Sequence, residues 1–169
     1  MRELLSITLH CTSKQSIEKE TITYKKIGGK MQRDTFSYFY TLRVRYAEVD
    51  GQGVVFNAHY LTYFDTAITE FFRHKGYSYN DLFTAKGLDF HLVKATVEFL
   101  KPVGFDEVIE IGVRISKIGT SSVTFELAVF GHYETPCRAT GKIIWVCTQP
   151  GTYKSHRLPE EFVMLFKAE

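Results

Sequence analysis

The sequence predicts an α+β fold in which one antiparallel five-stranded sheet packs on a single long helix. Three observations predict it: a β-type alternation over 35–46, a helical period over 58–75, and four further strand-like segments linked by short turns. This order is typical of a sheet layer covered by a helix. One helix leaves edges and apolar surface of the sheet uncovered, so a homodimer or homotetramer is expected.

Each element follows from a local pattern. Over 35–46 the apolar residues share one parity, and that parity runs to Tyr46. From about Ala58 to Lys75 the apolar residues recur with helical spacing, and Gly76 supplies a stop. A short helix or turn is predicted at 80–86. The remaining elements are strands at 88–100, 107–117, 122–133 and 136–148, and an amphipathic turn or helix at 159–166.

The N-terminal residues differ from the rest in composition. Residues 1–33 are polar and rich in Lys, Thr and Ser, and a glycine pair precedes Met31. They are predicted to be a flexible extension ahead of a domain at 34–169, or sequence upstream of a natural start at Met31. The first residues lack the small side chains that precede a cleavage site, so no signal peptide is expected. Little chemistry is expected in this extension.

Composition argues against several classes of protein. The formal net charge of +2 is small and dispersed, which disfavours a nucleic-acid partner. No apolar run exceeds five residues, so no membrane span is predicted. Cys11, Cys137 and Cys147 form no CxxC pair or metal-type spacing, so no metal site is predicted. Unpaired thiols favour a reducing cytoplasm.

The strongest functional pattern is the segment DGQGVVFNAHY, residues 50–60. Asp50 stands on a glycine-containing loop that runs directly into the long predicted helix, whose first amides lack intrahelical partners. A carboxylate beside such amide donors can attack a carbonyl and stabilise the resulting oxyanion. The segment therefore predicts an acyl-transfer enzyme. The alternative is that Asp50 is an ordinary turn residue before Gly51.

Three neighbours of Asp50 have competing interpretations. Tyr46 could lend its hydroxyl to the site or be a core aromatic of the first strand. Glu48 is expected to be solvated. His59 could reach a substrate, although a surface histidine at the start of a helix is the favoured interpretation.

These residues also carry a resemblance to a known family. The motif Tyr46-x-x-x-Asp50-x-x-Gly53-Val54-Val55-x-Asn57 before the helix, in a β-helix-ββββ order, resembles the hotdog-fold thioesterases, and within them the 4-hydroxybenzoyl-CoA thioesterase group. The segments 95–102 and 117–125 are similar to the family's second strand and β3–β4 turn. The similarity runs from about Met31 to the C-terminus.

The resemblance implies hydrolysis of an acyl-CoA, or of an acyl-carrier thioester, without metal or cofactor, since coenzyme A is part of the substrate. It implies a dimer or tetramer whose active site lies between subunits. Asp50 would be general base or nucleophile, with the Asn57 amide as oxyanion donor and Tyr46 nearby. Asn57, where relatives often have His or Tyr, would also cap the helix. The implied substrate-binding residues are Gly53, Val54, Ala58, His59 and Tyr60. The candidates for binding the coenzyme A moiety are Arg114, Lys117, Ser121, Ser122 and Arg138. For each basic residue, the alternative is an ordinary solvated charge on an exposed strand face.

Two other functions are possible for this fold. A hotdog domain can bind acyl groups without hydrolysing them, because a fold does not dictate a reaction. The carboxylate at Asp50 favours catalysis over that alternative. A hydratase of the same fold would need a histidine in a hydratase-type motif, and the sequence has none placed that way.

Overall fold

In the computed structural model, residues 31–167 are described, and they form one antiparallel sheet with a long helix packed against it. The strand order is β1-β3-β4-β5-β2, and the short β6 pairs with β5. This confirms the predicted order of a strand, a long helix and four strands. The strands are β1 Tyr38–Arg43, β2 Asp89–Phe99, β3 Val108–Ile118, β4 Ser122–Gly131, β5 Cys137–Gln149 and β6 Lys154–Ser155. The helices are α1 His59–His74, α2 Tyr79–Lys86 and α3 Glu160–Lys167.

The core lies between α1 and the sheet. The apolar face of α1 is fully buried at Phe64, Ile68 and Phe72, as the helical period predicts. A glycine on β5 allows this close approach, because a Cβ at Gly141 would stand 2.5 Å from the ring of Phe64. The helix therefore sits directly on the middle of the sheet, which fixes where its N-terminus emerges.

The first strand ends at Arg43, earlier than predicted. The prediction that Tyr46 continues the alternation of this strand is therefore wrong. Tyr46 begins a 3-10 turn, Tyr46–Glu48, and its side chain is 79% exposed. The turn is closed by two reciprocal hydrogen bonds: the Arg45 amide donates to the Glu48 carboxylate over 2.7 Å, and the Glu48 amide donates to the Arg45 carbonyl over 3.0 Å. A capping bond of this kind can end a strand at a point where the apolar alternation in the sequence still continues.

Strand β2 forms one edge of the sheet and is largely uncovered. Leu92 is 51% exposed and Val93 is 58% exposed, and a register shift between Leu92 and Lys94 interrupts the pairing with β5. Apolar and polar residues alternate along β2 as predicted. Most of its side chains are nevertheless exposed on both faces of the strand within the described part of the chain. An apolar edge strand of this length offers unpaired backbone groups to another strand.

The predicted N-terminal extension lies outside the described residues, except for residues 31–33. Arg33 belongs to a 3-10 turn, Arg33–Thr35, that precedes β1. The expectation of a separate extension therefore stays a prediction.

The described part of the chain contains neither a membrane-spanning helix nor a cluster of metal-ligating side chains. Over residues 31–167, no helix is both long enough and apolar enough to cross a membrane. Within the same residues, no group of three His, Cys, Asp or Glu side chains is placed to hold a metal ion.

Candidate active site

Asp50 lies in a tight turn between the first strand and α1. Its amide donates to the carbonyl of Val54 over 2.9 Å, and its carbonyl accepts from the amide of Gly53 over 2.9 Å. Gly53 has φ +76°, a conformation that favours glycine. One carboxylate oxygen, Oδ1, accepts from the Gln52 amide over 2.8 Å. The half-buried carboxylate of Asp50 is therefore held by its own turn, and no described residue donates a hydrogen bond to its second oxygen.

The turn leads into α1 through two amides without partners. The helix begins at His59, and the amides of His59, Tyr60 and Leu61 each donate to a carbonyl three residues earlier. The amides of Asn57 and Ala58 donate to no acceptor within residues 31–167. Free amides at a helix start carry partial positive charge and bind anionic oxygen.

Asp50 and Asn57 open onto the same cleft, whose volume is about 390 Å³. One wall is the Asp50 turn with the start of α1, and the opposite wall is the end of β2 with the residues that follow it. Apart from Asp50, Asn57 and Lys101, the lining is mainly aliphatic or aromatic. The residues that line the cleft are Asp50, Val54, Val55, Phe56, Asn57, Tyr60, Phe99, Leu100, Lys101 and Pro102.

The second wall was missed by the sequence-based prediction of the site. The amide of Val55 donates to the carbonyl of Val103 over 2.8 Å, and Val54 forms an isolated bridge with Gly104. These bonds bring the segment after β2 against the Asp50 turn. The only local indication is Pro102, which ends the strand, and it does not reveal which loop the strand end meets.

An ion-pair network lies beside this wall. Arg138 Nη1 lies 2.5 Å from Glu107, its Nη2 lies 2.9 Å from Glu134, and its carbonyl accepts from the amides of Leu100 and Lys101 over 2.8 and 2.9 Å. Burial raises the pKa of the cleft residue Tyr60, while the Arg138 charge opposes the shift. The Arg138 network therefore fixes the backbone of the cleft wall and lies close enough to act on Tyr60.

Only some of the predicted catalytic and substrate-binding residues line the cleft. Asp50, Asn57, Val54 and Tyr60 line the cleft. Three others lie in the same segment without lining it: Gly53 in the turn, Ala58 before the helix, and His59, whose ring lies edge-on to that of Phe56 at 6.3 Å. Tyr46 does not line the cleft, and its ring packs edge-on against Phe105 at 5.6 Å.

The predicted coenzyme A residues lie outside this cleft in a single chain. Arg114 is paired with Glu126 at 2.8 Å and lies over the ring of Phe36. Arg138 is engaged in its own network, as described above. Lys117, Ser121 and Ser122 lie at the β3–β4 turn, at the opposite end of the sheet. Ser122 pairs with Val146 while Phe99 pairs with Ala139, and about 23 Å of β5 separates the two pairing positions.

Two local expectations are wrong. Asn57 does not cap α1, because the residue before the helix is Ala58 and no side chain caps it. Glu48 is not solvated; it is 3% exposed, because Arg45 and Tyr63 supply donors that compensate the burial of its charge.

The cleft combines a carboxylate, an amide without a partner among the described residues, and a mainly apolar lining. The carboxylate can accept a proton from water or attack an activated carbonyl carbon. The amide of Asn57 can hold the negative oxygen that forms when the carbonyl carbon becomes tetrahedral. The arrangement is suited to acyl transfer from an activated acyl donor.

Comparisons with known proteins agree with this chemistry. Residues 52–132 match the model of the family described as "Thioesterase superfamily". The chain is 30% identical over 134 residues to the acyl-CoA thioester hydrolase YbgC of Escherichia coli, which covers 79% of this chain and 98% of that protein. It is 28% identical over 129 residues to the 1,4-dihydroxy-2-naphthoyl-CoA hydrolase of Nostoc punctiforme, covering 75% of this chain and 84% of that protein.

A solved structure has the same architecture. The PA5185 protein of Pseudomonas aeruginosa superposes with a TM-score of 0.74 at 25% identity, covering 83% of this chain and 96% of that chain. With the family match, this similarity confirms the hotdog fold predicted from the sequence.

Proposed function

This chain belongs to the thioesterase superfamily and is a thioester hydrolase, and we propose that its reaction takes place in the cleft between Asp50 and the start of α1. The observation that carries the proposal is the shared cleft: Asp50 and Asn57, whose amide has no partner within residues 31–167, both line it among mainly apolar side chains. The substrate is an acyl-CoA, the class named for the YbgC and naphthoyl-CoA relatives.

Asp50 acts on the thioester by one of two routes. As a general base, it takes a proton from water while the water oxygen bonds to the carbonyl carbon. As a nucleophile, its oxygen bonds to that carbon and gives a mixed anhydride, which water then cleaves. In both routes the C–S bond breaks, the thiolate of coenzyme A takes up a proton, and the free acid leaves.

The amide of Asn57 stabilises the oxyanion in either route. It is fixed by the backbone before the reaction begins, so no reorganisation is needed as charge develops on the oxygen. A backbone amide can donate its hydrogen bond whichever side chain its residue has. This agrees with an Asn at a position where relatives often have His or Tyr. The exposed Asn57 side chain would then influence the fit of the substrate.

The active enzyme is proposed to be a dimer, or a pair of dimers, joined through the edge of β2. This edge exposes Leu92 and Val93, and its end supplies Phe99 to the cleft. An antiparallel pairing of two β2 edges places the far end of the partner's sheet beside each cleft. That arrangement would deliver Lys117, Ser121 and Ser122 of the partner subunit toward the coenzyme A moiety.

The acyl group is proposed to lie against the apolar wall formed by Phe56, Tyr60, Phe99 and Leu100. This wall suits an aliphatic or an aryl group, and the narrower 4-hydroxybenzoyl-CoA assignment stays a prediction from the motif. An acyl-carrier protein is the alternative donor of the thioester. We also propose a cytoplasmic site of action, in keeping with the free thiols of Cys137 and Cys147.

A non-catalytic acyl-binding domain is the competing function, and one substitution separates the two. Asp50→Asn keeps the shape of the side chain and its bond to the Gln52 amide but removes the base. We expect kcat for acyl-CoA hydrolysis to fall by about 100-fold or more, since no other group in the cleft replaces the carboxylate. Thiol release across aliphatic and aryl acyl-CoA substrates measures it.

The matched control is Asp106→Asn, which alters an exposed loop carboxylate paired with Arg43 and should leave kcat unchanged. Both variants should keep the wild-type thermal unfolding midpoint and bind desulfo-CoA equally. Wild-type turnover in Asp50→Asn contradicts the assigned role. A wild type that binds acyl-CoA without releasing thiol supports the binding function instead.

A further inference from the structure

A buried carboxylate lies directly beneath the Asp50 turn. Glu48, two residues before Asp50, is 3% exposed and accepts hydrogen bonds at both carboxylate oxygens. Its Oε2 accepts from the Tyr63 hydroxyl over 2.8 Å and from the Arg45 amide over 2.7 Å. Its Oε1 accepts from the Arg45 guanidinium through Nε at 2.8 Å and Nη2 at 2.5 Å.

These donors keep the buried group ionised. Burial alone would raise the pKa of Glu48, but the hydrogen bonds from Arg45 and Tyr63 hold it below its ordinary value. Burial and the bond to Glu48 also raise the pKa of Tyr63, so its hydroxyl stays a donor. A charge kept inside a protein with this many partners is sensitive to the loss of any one of them.

The backbone of Glu48 reaches the other half of the candidate site. Its carbonyl accepts from the amide of Phe56 over 2.9 Å. Phe56 immediately precedes Asn57, whose free amide is the proposed oxyanion donor. An isolated bridge between Val49 and Val55 lies beside this bond. One residue therefore ties together the base of the Asp50 turn, the entry to α1, and, through Tyr63, the body of α1.

We propose that Glu48 and Tyr63 are positioning residues, which hold the Asp50 carboxylate at a fixed distance from the Asn57 amide. This inference rests on the proposed function of Asp50. Neither side chain lines the cleft, so neither meets the substrate. Their contribution is geometric, because small displacements between a reacting group and its oxyanion donors lower the rate of the chemical step steeply.

The chain contains a matched control for this bond. Tyr79, on α2, donates its hydroxyl to the carboxylate of Asp89, at the end of the sheet opposite the cleft. Both pairs join a largely buried tyrosine on a helix to a carboxylate outside that helix, Glu48 in the 3-10 turn and Asp89 at the start of β2. Removing either hydroxyl costs stability through the same chemistry. Only the Glu48–Tyr63 pair is connected to the Asp50 turn.

The experiment compares Tyr63→Phe with Tyr79→Phe by steady-state kinetics on the best acyl-CoA substrate. For Tyr63→Phe we expect kcat to fall about 10-fold while KM changes less than about twofold, because the cleft wall is intact and only the reacting geometry loosens. Tyr79→Phe should leave kcat unchanged with a similar fall in the thermal unfolding midpoint. Equal kcat values in the two variants overturn the proposal.

Amide hydrogen exchange gives a readout independent of turnover. Loss of the Tyr63 hydroxyl should accelerate exchange at the Phe56 amide, which is bonded to Glu48, more than tenfold relative to Tyr79→Phe. Unchanged Phe56 exchange overturns the proposal even if kcat falls. An inactive wild type contradicts the proposed function, and the exchange measurement then decides by itself whether Glu48 and Tyr63 hold the turn.

A second pair of variants keeps the test open if Tyr63→Phe does not fold. Glu48→Gln removes the charge but keeps the size of the side chain, and Asp89→Asn does the same at the control site. Glu48→Gln should lower kcat and accelerate Phe56 exchange, whereas Asp89→Asn should do neither. Matching behaviour of the two variants in both measurements overturns the proposal.

Discussion

Arg33 forms an ion pair with Glu110 at 2.7 Å, and this contact fastens the chain ahead of β1 to the outer face of the sheet. The Arg33 guanidinium also lies 4.4 Å from the centre of the Phe39 ring. Nearby, the ring of Phe36 covers Gly112 so closely that a Cβ there would stand 2.6 Å from it. A residue assigned by composition to the N-terminal extension therefore takes part in the packing of the domain.

The polar composition of residues 1–30 predicts that they are dispensable for folding and activity. A protein that begins at Met31 keeps Arg33 and should fold and turn over substrate as the full chain does. In that protein, Arg33→Ala should lower the free energy of unfolding by about 1.5–3 kcal/mol, since it removes a charged donor from the buried Glu110 carboxylate. Thermal unfolding would show a midpoint lower by roughly 4–10 °C.

Arg73→Ala serves as the control for this measurement. It removes an exposed ion pair with Glu70 on α1, a type of contact worth about 0.5 kcal/mol or less. A midpoint for Arg33→Ala as high as that of Arg73→Ala would contradict the packing role of Arg33. Loss of folding in the protein that begins at Met31 would contradict the dispensability of residues 1–30.

The same carboxylate predicts a pH dependence of stability. Burial would raise the pKa of Glu110, but the bonds from the Tyr133 amide and Arg33, with the nearby His132, hold it below the ordinary value of 4.5. A carboxyl whose pKa is lower in the folded state stabilises the fold fully above its unfolded pKa. That stabilisation is lost as the pH falls through the folded pKa.

Glu110→Gln should therefore be less stable than the wild type at pH 7, and the two unfolding midpoints should converge as the pH drops below about 4.5. Calorimetric scans between about pH 3 and pH 7 measure the difference. Glu160→Gln, at an exposed position on α3, should follow the wild type at every pH. A constant gap between Glu110→Gln and the wild type would show that the ion pair with Arg33 does not stabilise the fold.

The periodic spacing of apolar residues predicted the elements and their order, because it indicates which side chains are buried between the sheet and α1. The helical period over 58–75 matches the buried face of α1, which includes Phe64 and Phe71. The Asp50 turn was also predictable, because the glycine spacing and the start of the helix are local properties. Gly53 does adopt the positive φ that such a turn requires.

Tertiary pairing was not predictable from the same patterns. No local pattern marks Glu48 as buried, and one of the donors that compensate its burial, Tyr63, lies fifteen residues later in the chain. The cleft wall after β2 depends on the bond between Val55 and Val103, which joins segments far apart in the chain. No local sequence pattern in either segment indicates that the two segments meet. The cleft wall formed after β2 could therefore not be predicted from the sequence.

The uncovered edge of β2 is the proposed subunit interface. Val93→Asp places a charge at the middle of this edge, which should prevent pairing with a second copy and give a protein with the 19.5 kDa mass of one chain. Its kcat/KM should fall as well, because Phe99 on the same strand loses the neighbouring subunit. Met164→Asp, at a 68% exposed position on α3, should keep the wild-type mass and activity. Sedimentation equilibrium and thiol release measure both properties. A wild type of single-chain mass, or a Val93→Asp protein that remains paired, would show that β2 is not the subunit interface.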